Sequence, residues 1–188
     1  LSWSAVTGVY RAPEGATAAR LELHLRWTAR GEVLWRDVAF RDAPHRPPRR
    51  ARLAAVNHRP ADTGRLEANT EAFGALVEQA AERDADIVVL PEGITIVGSE
   101  RSYVEAAEPV PGPTTRYLGG LAKRLGLWIV AGLYEREGSR VYNTAVLIDR
   151  EGRLAGRYRK MSLPDEEIDG GLTPGDHTPV FDTDFGRV

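Results

Sequence analysis

Glu92 is a residue whose type and position in this sequence suggest chemistry. It directly follows the apolar run IVVLP at residues 87–91, and ligands bind at the carboxyl ends of strands in open α/β sheets. A carboxylate held partly out of water beside an ammonium group can serve as a general base toward a thiol or water. A loop carboxylate that caps the next segment or pairs at the surface is the alternative, and Glu92 alone does not decide between them.

Lys160 ends a segment of alternating character at residues 153–160. Leu154 and Tyr158 share its side of the predicted strand, while Arg157 and Arg159 occupy the other side. If the period of two holds to the end of the strand, Lys160 points with the apolar side chains and the arginines face solvent. An inward lysine needs a carboxylate partner or a functional role, because an unpaired buried charge costs about 3 to 5 kcal/mol. A solvated basic strand edge is the alternative.

Further polar residues could reach the same place. Glu166 and Glu167 lie in a Gly- and Pro-rich segment that runs to Gly175, although most acidic loop residues are merely solvated. Asn143 and Tyr134 lie in predicted strands and could line such a site, although buried strand residues usually only pack. Spacing alone therefore does not assign a role to any of these four side chains.

Strands and helices alternate from residue 53 onward. Residues 53–56 and 87–90 are short apolar runs that predict buried strands. The segment between them, residues 64–83, predicts a helix because apolar and small residues recur at helical spacing. These residues are Leu66, Thr70, Phe73, Val77 and Ala80.

The second half continues the same pattern and then changes it. A helix is predicted at about residues 114–124, with Pro113 near its start and Gly126 after its end. A buried strand at residues 127–134 follows. Segments 142–148 and 153–159 then form an antiparallel pair, because residues 149–152 (DREG) suit a hairpin turn. The order is βαβαβ followed by antiparallel strands, which predicts an α/β fold.

The front of the sequence has a different character. Residues 20–27 alternate strictly between apolar and polar types, which predicts a half-buried antiparallel strand. A second strand at residues 32–40 and a third around residues 6–11 would pair with it. Such a small sheet is marginally stable alone, and the sequence begins with Leu1, so we expect partner strands to be missing. We therefore interpret residues 1–43 as the last strands of a β-sandwich domain.

Residues 44–50 form a Pro- and Arg-rich stretch that resists both helix and strand. We interpret it as a linker, which divides the chain into residues 1–43, the linker, and residues 51–188. A basic patch over residues 45–52 is the alternative.

Composition excludes several classes of protein. A net charge of -2 and a pI of about 6.1 lack the excess of basic residues that is typical of nucleic-acid-binding domains. There is no apolar run long enough to span a membrane and no signal peptide at the start. The sequence has no cysteine and four histidines, and those histidines lack ligand spacing, so no metal site is implied. We expect a soluble, cytoplasmic protein.

Several short motifs occur in one order over residues 52–188. They are IVVLPE at 87–92, AGLYE at 131–135, YNT at 142–144, YRK at 158–160 with Leu163, TPG at 173–175 and FGRV at 185–188. The ordered set resembles the nitrilase superfamily of carbon-nitrogen hydrolases, and residues 9–25 resemble the closing strands of carbohydrate-binding sandwiches. The first resemblance implies part of an αββα sandwich that acts on amides, N-carbamoyl compounds or nitriles, without metal or organic cofactor, commonly as a homo-oligomer.

That resemblance also implies roles for individual residues. Members of the superfamily use a Glu-Lys-Cys triad, in which Glu92 would be the general base and Lys160 the cation that stabilises the tetrahedral intermediate. Glu167 resembles an additional glutamate near the triad, with Glu166 as its rival. The family's cysteine follows the strand that begins at residues 186–188, so we expect the sequence to be truncated before it and inactive as it stands.

Two other functions remain open at this point. The whole protein could be a pseudoenzyme or binding protein with a glycan-binding sandwich, and a cysteine within a few positions after Val188 would argue against that. A metallophosphoesterase would need Asp and His pairs at strand ends, and His58 and His177 are poorly placed for this. The hydrolase hypothesis requires the Glu92 carboxylate and the Lys160 ammonium to lie within about 8 Å, roughly one physiological Debye length.

Overall fold

The chain divides into two compact units in a computed structural model that describes residues 3–26, 29–44, 50–61 and 65–188. The units are Leu1–Pro48 and Arg49–Val188. Their boundary falls inside the predicted linker at residues 44–50, and residues 45–49 of that linker lie outside the described residues. Membership of the first unit in a β-sandwich domain stays a prediction.

The described residues of the first unit contain neither helix nor strand. The expected strands at residues 6–11, 20–27 and 32–40 are therefore absent from the described part of that unit. Leu21, Leu23 and Leu25, which share one side of the alternating pattern, are 53%, 44% and 49% exposed. The physical reason is that a two- or three-stranded sheet is marginal unless its apolar face is covered, and alternation alone supplies no cover.

The second unit is built on a five-stranded sheet. Its strands lie side by side in chain order. The first two pairs of neighbouring strands are parallel and the last two pairs are antiparallel. This arrangement confirms the predicted βαβαβ order followed by an antiparallel pair. The strands are β1 (Leu53–Ala55), β2 (Ile87–Val89), β3 (Trp128–Glu137), β4 (Arg140–Ile148) and β5 (Leu154–Arg159).

Four helices accompany these strands in the described residues. The two long ones, α1 (Leu66–Ala81) and α3 (Pro113–Leu125), agree with the sequence prediction. Proline stands at the first position of α3, and Gly126 ends the helix at φ 67°, in the left-handed region that glycine favours. The two short helices, α2 (Tyr103–Ala106) and α4 (Asp165–Asp169), were not predicted.

The main core lies between the sheet and the helices α1 and α3. Phe73 and Val77 of α1 pack with Leu118 of α3 against one face of the sheet, and each is fully buried. Ile129 of β3 belongs to this layer and is also fully buried. Burial of each such side chain stabilises the fold by about 1.5 to 3 kcal/mol, so this layer holds the strand ends in fixed positions.

The opposite face of the sheet carries a smaller apolar cluster. Trp128 and Leu147 are buried there with partly buried Phe181 and Phe185 from the last residues of the sequence. Among the described residues, no helix is both long enough and apolar enough to cross a membrane.

Candidate active site

Three neighbouring strands send polar side chains to one face of the sheet. Tyr134 of β3 is paired in register with Asn143 of β4. The backbone N–H of Lys160, just after β5, donates to the Asn143 carbonyl at 2.8 Å. Because side chains alternate along a strand, these three residues point to the same side. The predicted inward direction of Lys160 is therefore confirmed.

Glu92 is brought to this face by the turn that follows β2. The N–H of Gly132 donates to the Pro91 carbonyl at 3.2 Å, and the N–H of Ile94 donates to the Gly132 carbonyl at 2.9 Å. A β-carbon added at Gly132 would lie 2.7 Å from the Glu92 Cα. Glycine is therefore required at position 132 because the backbone of Glu92 lies directly against it.

The loop beyond Glu92 is fastened to α1. Asn69 is buried, and its side-chain amide donates to the carbonyl of Val97 at 2.9 Å and to that of Thr95 at 3.4 Å. The N–H groups of Ile96 and Val97 fold back onto the Gly93 carbonyl. The loop is thus fixed from both sides, and Asn69 is a positioning residue that the sequence motifs did not reveal.

The charged side chains meet at the end of this face. The Lys160 ammonium lies 3.0 Å from Glu92 Oε1 and 2.9 Å from Glu167 Oε1. The Asn143 amide donates to Glu167 Oε1 at 2.9 Å and also to Glu92 Oε1. The distance between the Glu92 carboxylate and the Lys160 ammonium is therefore well inside the limit of about 8 Å that the hydrolase hypothesis required.

Both members of the Glu92–Lys160 pair are held in their charged forms. Burial raises the pKa of Glu92, but hydrogen bonds from Asn143 and Lys160 outweigh it and leave that pKa below its usual value. Burial lowers the pKa of Lys160, but bonds to Glu167 and Glu92 outweigh it and leave that pKa above its usual value. A carboxylate that can accept a proton thus lies beside a permanent positive charge.

The short helix α4 decides between the two adjacent glutamates. Glu167 is buried and joins the charged cluster, whereas Glu166 is exposed. The carbonyl of Pro164 accepts a hydrogen bond from the N–H of Glu167 at 3.0 Å, which fixes the first turn of α4. Glu167 Oε2 is buried and has no hydrogen-bond partner among the described residues. Sequence spacing did not separate the two glutamates because they are adjacent, six and seven residues after Lys160.

Two tyrosines form a wall next to the carboxylates. Tyr134 is 5% exposed, and its ring lies 4.8 Å from that of Tyr103, between ring centroids. Burial, and then the negative charge of Glu92, raise the pKa of Tyr134. Tyr103 is at the start of α2, which the sequence analysis missed. The available signal was the capping box, in which Ser102 and Glu105 exchange hydrogen bonds across the first turn.

The predicted solvent direction of Arg157 and Arg159 is wrong. Both side chains bind the carboxylate of Glu135, which is 1% exposed on the face of the sheet opposite to Lys160. The predicted alternation holds for residues 157–160, but a register shift in β5 places Leu154 against the main core, on the side of the arginines and not on that of Lys160. A buried carboxylate on β3, two strands away from β5, binds the arginines and turns them inward. Charge pairing across strands is invisible in the pattern of one strand.

The described residues contain no group of three or more His, Cys, Asp or Glu side chains that could hold a metal ion. His58 makes a T-shaped ring contact with Phe73, at 5.8 Å between centroids, and His177 pairs with its neighbour Asp176. The cluster of Glu92, Lys160 and Glu167 offers carboxylates that can accept a proton and an ammonium group that can stabilise negative charge.

Comparison with known sequences gives two kinds of match. The family model described as carbon-nitrogen hydrolase matches residues 52–188. An omega-amidase of Xenopus laevis is 33% identical over 122 residues, which cover 60% of this chain and 44% of the relative. A bifunctional nitrilase/nitrile hydratase of Lupinus angustifolius is 35% identical over 133 residues, which cover 60% and 38%. The chain thus spans less than half the length of these curated relatives.

Solved structures show the same fold. An amidase from Nesterenkonia sp. superposes with a TM-score of 0.61 at 22% identity, covering 75% of this chain and 54% of the amidase. A carbon-nitrogen hydrolase from Helicobacter pylori gives a TM-score of 0.53 at 26% identity, covering 66% and 45%. Two single-residue mutants of an amidase from Nesterenkonia sp. AN1 have also been solved, one in complex with butyramide and one with acrylamide added to its active-site cysteine.

Proposed function

Because the chain belongs to the carbon-nitrogen hydrolase family, we propose that the whole protein hydrolyses a small-molecule amide through Glu92, Lys160 and a cysteine. The 188 residues contain no cysteine, so a residue outside them would supply the nucleophile. The observation that carries the proposal is the Lys160 ammonium, which lies within 3.0 Å of carboxylate oxygens from both Glu92 and Glu167.

Amides and N-carbamoyl compounds are the proposed substrates in preference to nitriles. Several of the curated relatives are omega-amidases, which supports this preference. Another relative is a bifunctional nitrilase/nitrile hydratase. The butyramide bound by the structurally similar amidase is a small aliphatic amide. A small aliphatic amide is therefore the first compound to test.

In the proposed reaction, Glu92 accepts the thiol proton and the sulfur attacks the amide carbon. The carbonyl oxygen becomes an oxyanion, and the Lys160 ammonium donates a hydrogen bond to it. When the intermediate collapses, Glu92 returns the proton to the leaving nitrogen, and ammonia or an amine departs from a thioester. Glu92 then takes a proton from water, which attacks the thioester. The second intermediate collapses to the carboxylic acid and a thiolate, to which Glu92 returns that proton.

The electrostatics of the cluster suit this division of roles. Hydrogen bonds to Glu167 and Glu92 keep the pKa of Lys160 above its usual value, which suits Lys160 to the role of the cation and Glu92 to that of the base. Glu92 is 55% exposed at its side chain and remains ionised, so it can reach a thiol or a water from the open side. Asn143 and Glu167 hold the pair together, and Tyr134 is proposed to contact the substrate from the adjacent wall.

The proposal predicts that Lys160→Ala nearly abolishes turnover in the full-length protein. Loss of one donor to an oxyanion costs about 3 to 4 kcal/mol, or about 10²- to 10³-fold in kcat. Ammonia release from butyramide and related aliphatic amides measures this directly. Lys123→Ala is the matched control, because Lys123 is the other lysine of the sequence and is exposed on α3. A Lys160→Ala enzyme with kcat near the wild-type value would refute the assignment.

The pseudoenzyme alternative is tested by the same protein. Replacement of the cysteine that the full-length sequence provides at this site, by serine, must remove the activity. If the full-length sequence supplies no cysteine, and aliphatic amides release no ammonia, the binding-protein hypothesis replaces the hydrolase. Homo-oligomerisation and a cytoplasmic location stay predictions.

A further inference from the structure

A buried ionic cluster lies behind the proposed site, on the other face of the sheet. At its centre is Glu135 of β3, whose carboxylate is 1% exposed. Arg159 forms a bidentate, two-pronged ion pair with it, in which Nε donates to Oε2 at 2.9 Å and Nη2 donates to Oε1 at 2.7 Å. The Thr144 hydroxyl donates to Oε2 at 2.9 Å, and Arg157 donates to Oε1. All acceptor positions of the buried carboxylate are therefore used.

Adjacent residues on β3, on β4 and at the end of β5 contribute to the cluster and to the proposed site. Tyr134 faces the site and Glu135 faces the cluster, and the same relation holds for Asn143 and Thr144 on β4. On β5 the cluster residue Arg159 immediately precedes Lys160. Since consecutive side chains point to opposite faces, a shift in the backbone at Arg159 is passed directly to the Lys160 side chain.

The end of β5 needs such an anchor. In the described sheet β5 is an edge strand, and Arg159 is its last residue. Beyond it, the backbone of Lys160 is held by one bond to the Asn143 carbonyl and by a second from the N–H of Gly175, at 2.9 Å. The Arg159 guanidinium also lies 3.9 Å from the ring centroid of Tyr142 and is 15% exposed. A planar guanidinium in a two-pronged bond fixes direction as well as distance.

We propose that Arg159 is a positioning residue, whose bond to Glu135 fixes the end of β5 and so holds the Lys160 ammonium between the two site carboxylates. The inference rests on the proposed function, in which that ammonium stabilises the oxyanion. A displacement of about 1 Å at a catalytic group can lower the rate about 100-fold. Loss of the two-pronged bond therefore acts on catalysis through Lys160, with no contact between Arg159 and the substrate.

The test compares two arginines that bind the same carboxylate in the full-length protein. Arg159→Gln and Arg157→Gln each leave Glu135 with one arginine, but only Arg159 adjoins Lys160. Arg159→Lys keeps the charge with a single-pronged contact and serves if the glutamine variant does not fold. Kinetics with butyramide give kcat and KM, and thermal melting reports stability. NMR of labelled lysine side chains gives the pKa of Lys160, whose signal is identified by its loss in Lys160→Arg.

We expect Arg159→Gln to lower kcat at least about tenfold with little change in KM, and to bring the pKa of Lys160 down toward its usual value. Arg157→Gln should leave both quantities near those of the wild type. Equal losses in the two variants, or an unchanged pKa of Lys160 in the Arg159 variants, overturn the proposal and leave a purely structural cluster. If the wild type releases no ammonia but the pKa of Lys160 responds to Arg159 alone, the positioning role stands and the proposed hydrolase function fails.

Discussion

Gly132→Ala offers a direct test of the geometry that brings Glu92 to the site. An added β-carbon would lie 2.7 Å from the Glu92 Cα, 2.9 Å from the Pro91 carbonyl oxygen and 3.2 Å from the Gly93 nitrogen. All three neighbours are backbone atoms, so no side-chain rotation can relieve the overlap. The substitution must therefore push the Glu92 backbone away from β3 or distort the strand itself.

The size of the effect follows from these distances. Carbon atoms in ordinary contact are about 3.5 to 4.0 Å apart, so the Glu92 backbone has to move by about 1 Å. A displacement of that size lowers the rate about 100-fold, which corresponds to about 2.7 kcal/mol in the barrier. Overpacking should also lower the free energy of unfolding by about 1 to 3 kcal/mol.

The assay is ammonia release from an aliphatic amide by the full-length protein, with urea denaturation to measure stability. Gly120→Ala is the matched control, because Gly120 is exposed in α3 and an added β-carbon there has no neighbour within 4 Å. Alanine should stabilise that helix by about 0.5 to 1 kcal/mol and leave kcat unchanged. If Gly132→Ala keeps kcat within about threefold of the wild type while folded, the close approach of Glu92 to β3 does not govern the activity.

Two further predictions concern the partners of Glu92. Asn143→Ala removes a donor that favours the charged carboxylate, so the pKa of Glu92 should rise and the acidic limb of kcat/KM should move to higher pH. An unchanged limb would show that another group controls it. Asn69→Ala removes the bonds to the Thr95 and Val97 carbonyls, and urea denaturation should show a loss of about 1 to 3 kcal/mol. The exposed α1 variant Glu71→Ala should change stability by less than about 0.5 kcal/mol, and an equal loss in both variants would argue against an anchoring role of Asn69.

Much of the α/β unit follows from local patterns in the sequence. The helical spacing of Phe73, Val77 and Ala80 predicts α1, and all three are buried in the structure. Proline at the start and glycine after the end bracket α3 within about one residue. These predictions succeed because helix and strand periodicity, and the caps that end helices, depend on residues close together along the chain.

The same kind of pattern failed at the front of the sequence. The alternation at residues 20–27 is as regular as any in the chain, yet the described residues there form no strand. A strand gains its stability from partners and from a covered face, and alternation specifies neither. The short helix α2 was not predicted at all, because four residues are too few to show a helical period. Its capping box is the one local signal that indicates it.

By itself, the sequence determined the order of the α/β elements, the position of Glu92 after a buried strand and the side of β5 on which Lys160 lies. Each of these depends on near neighbours and on the strand period of two. Only the tertiary structure decided that Glu167, and not Glu166, joins the cluster. It also decided that the Glu92 backbone packs directly against Gly132, and that Arg159 turns inward to Glu135. Those outcomes depend on distances between segments far apart in the chain, which the packing of the sheet sets and no local pattern encodes.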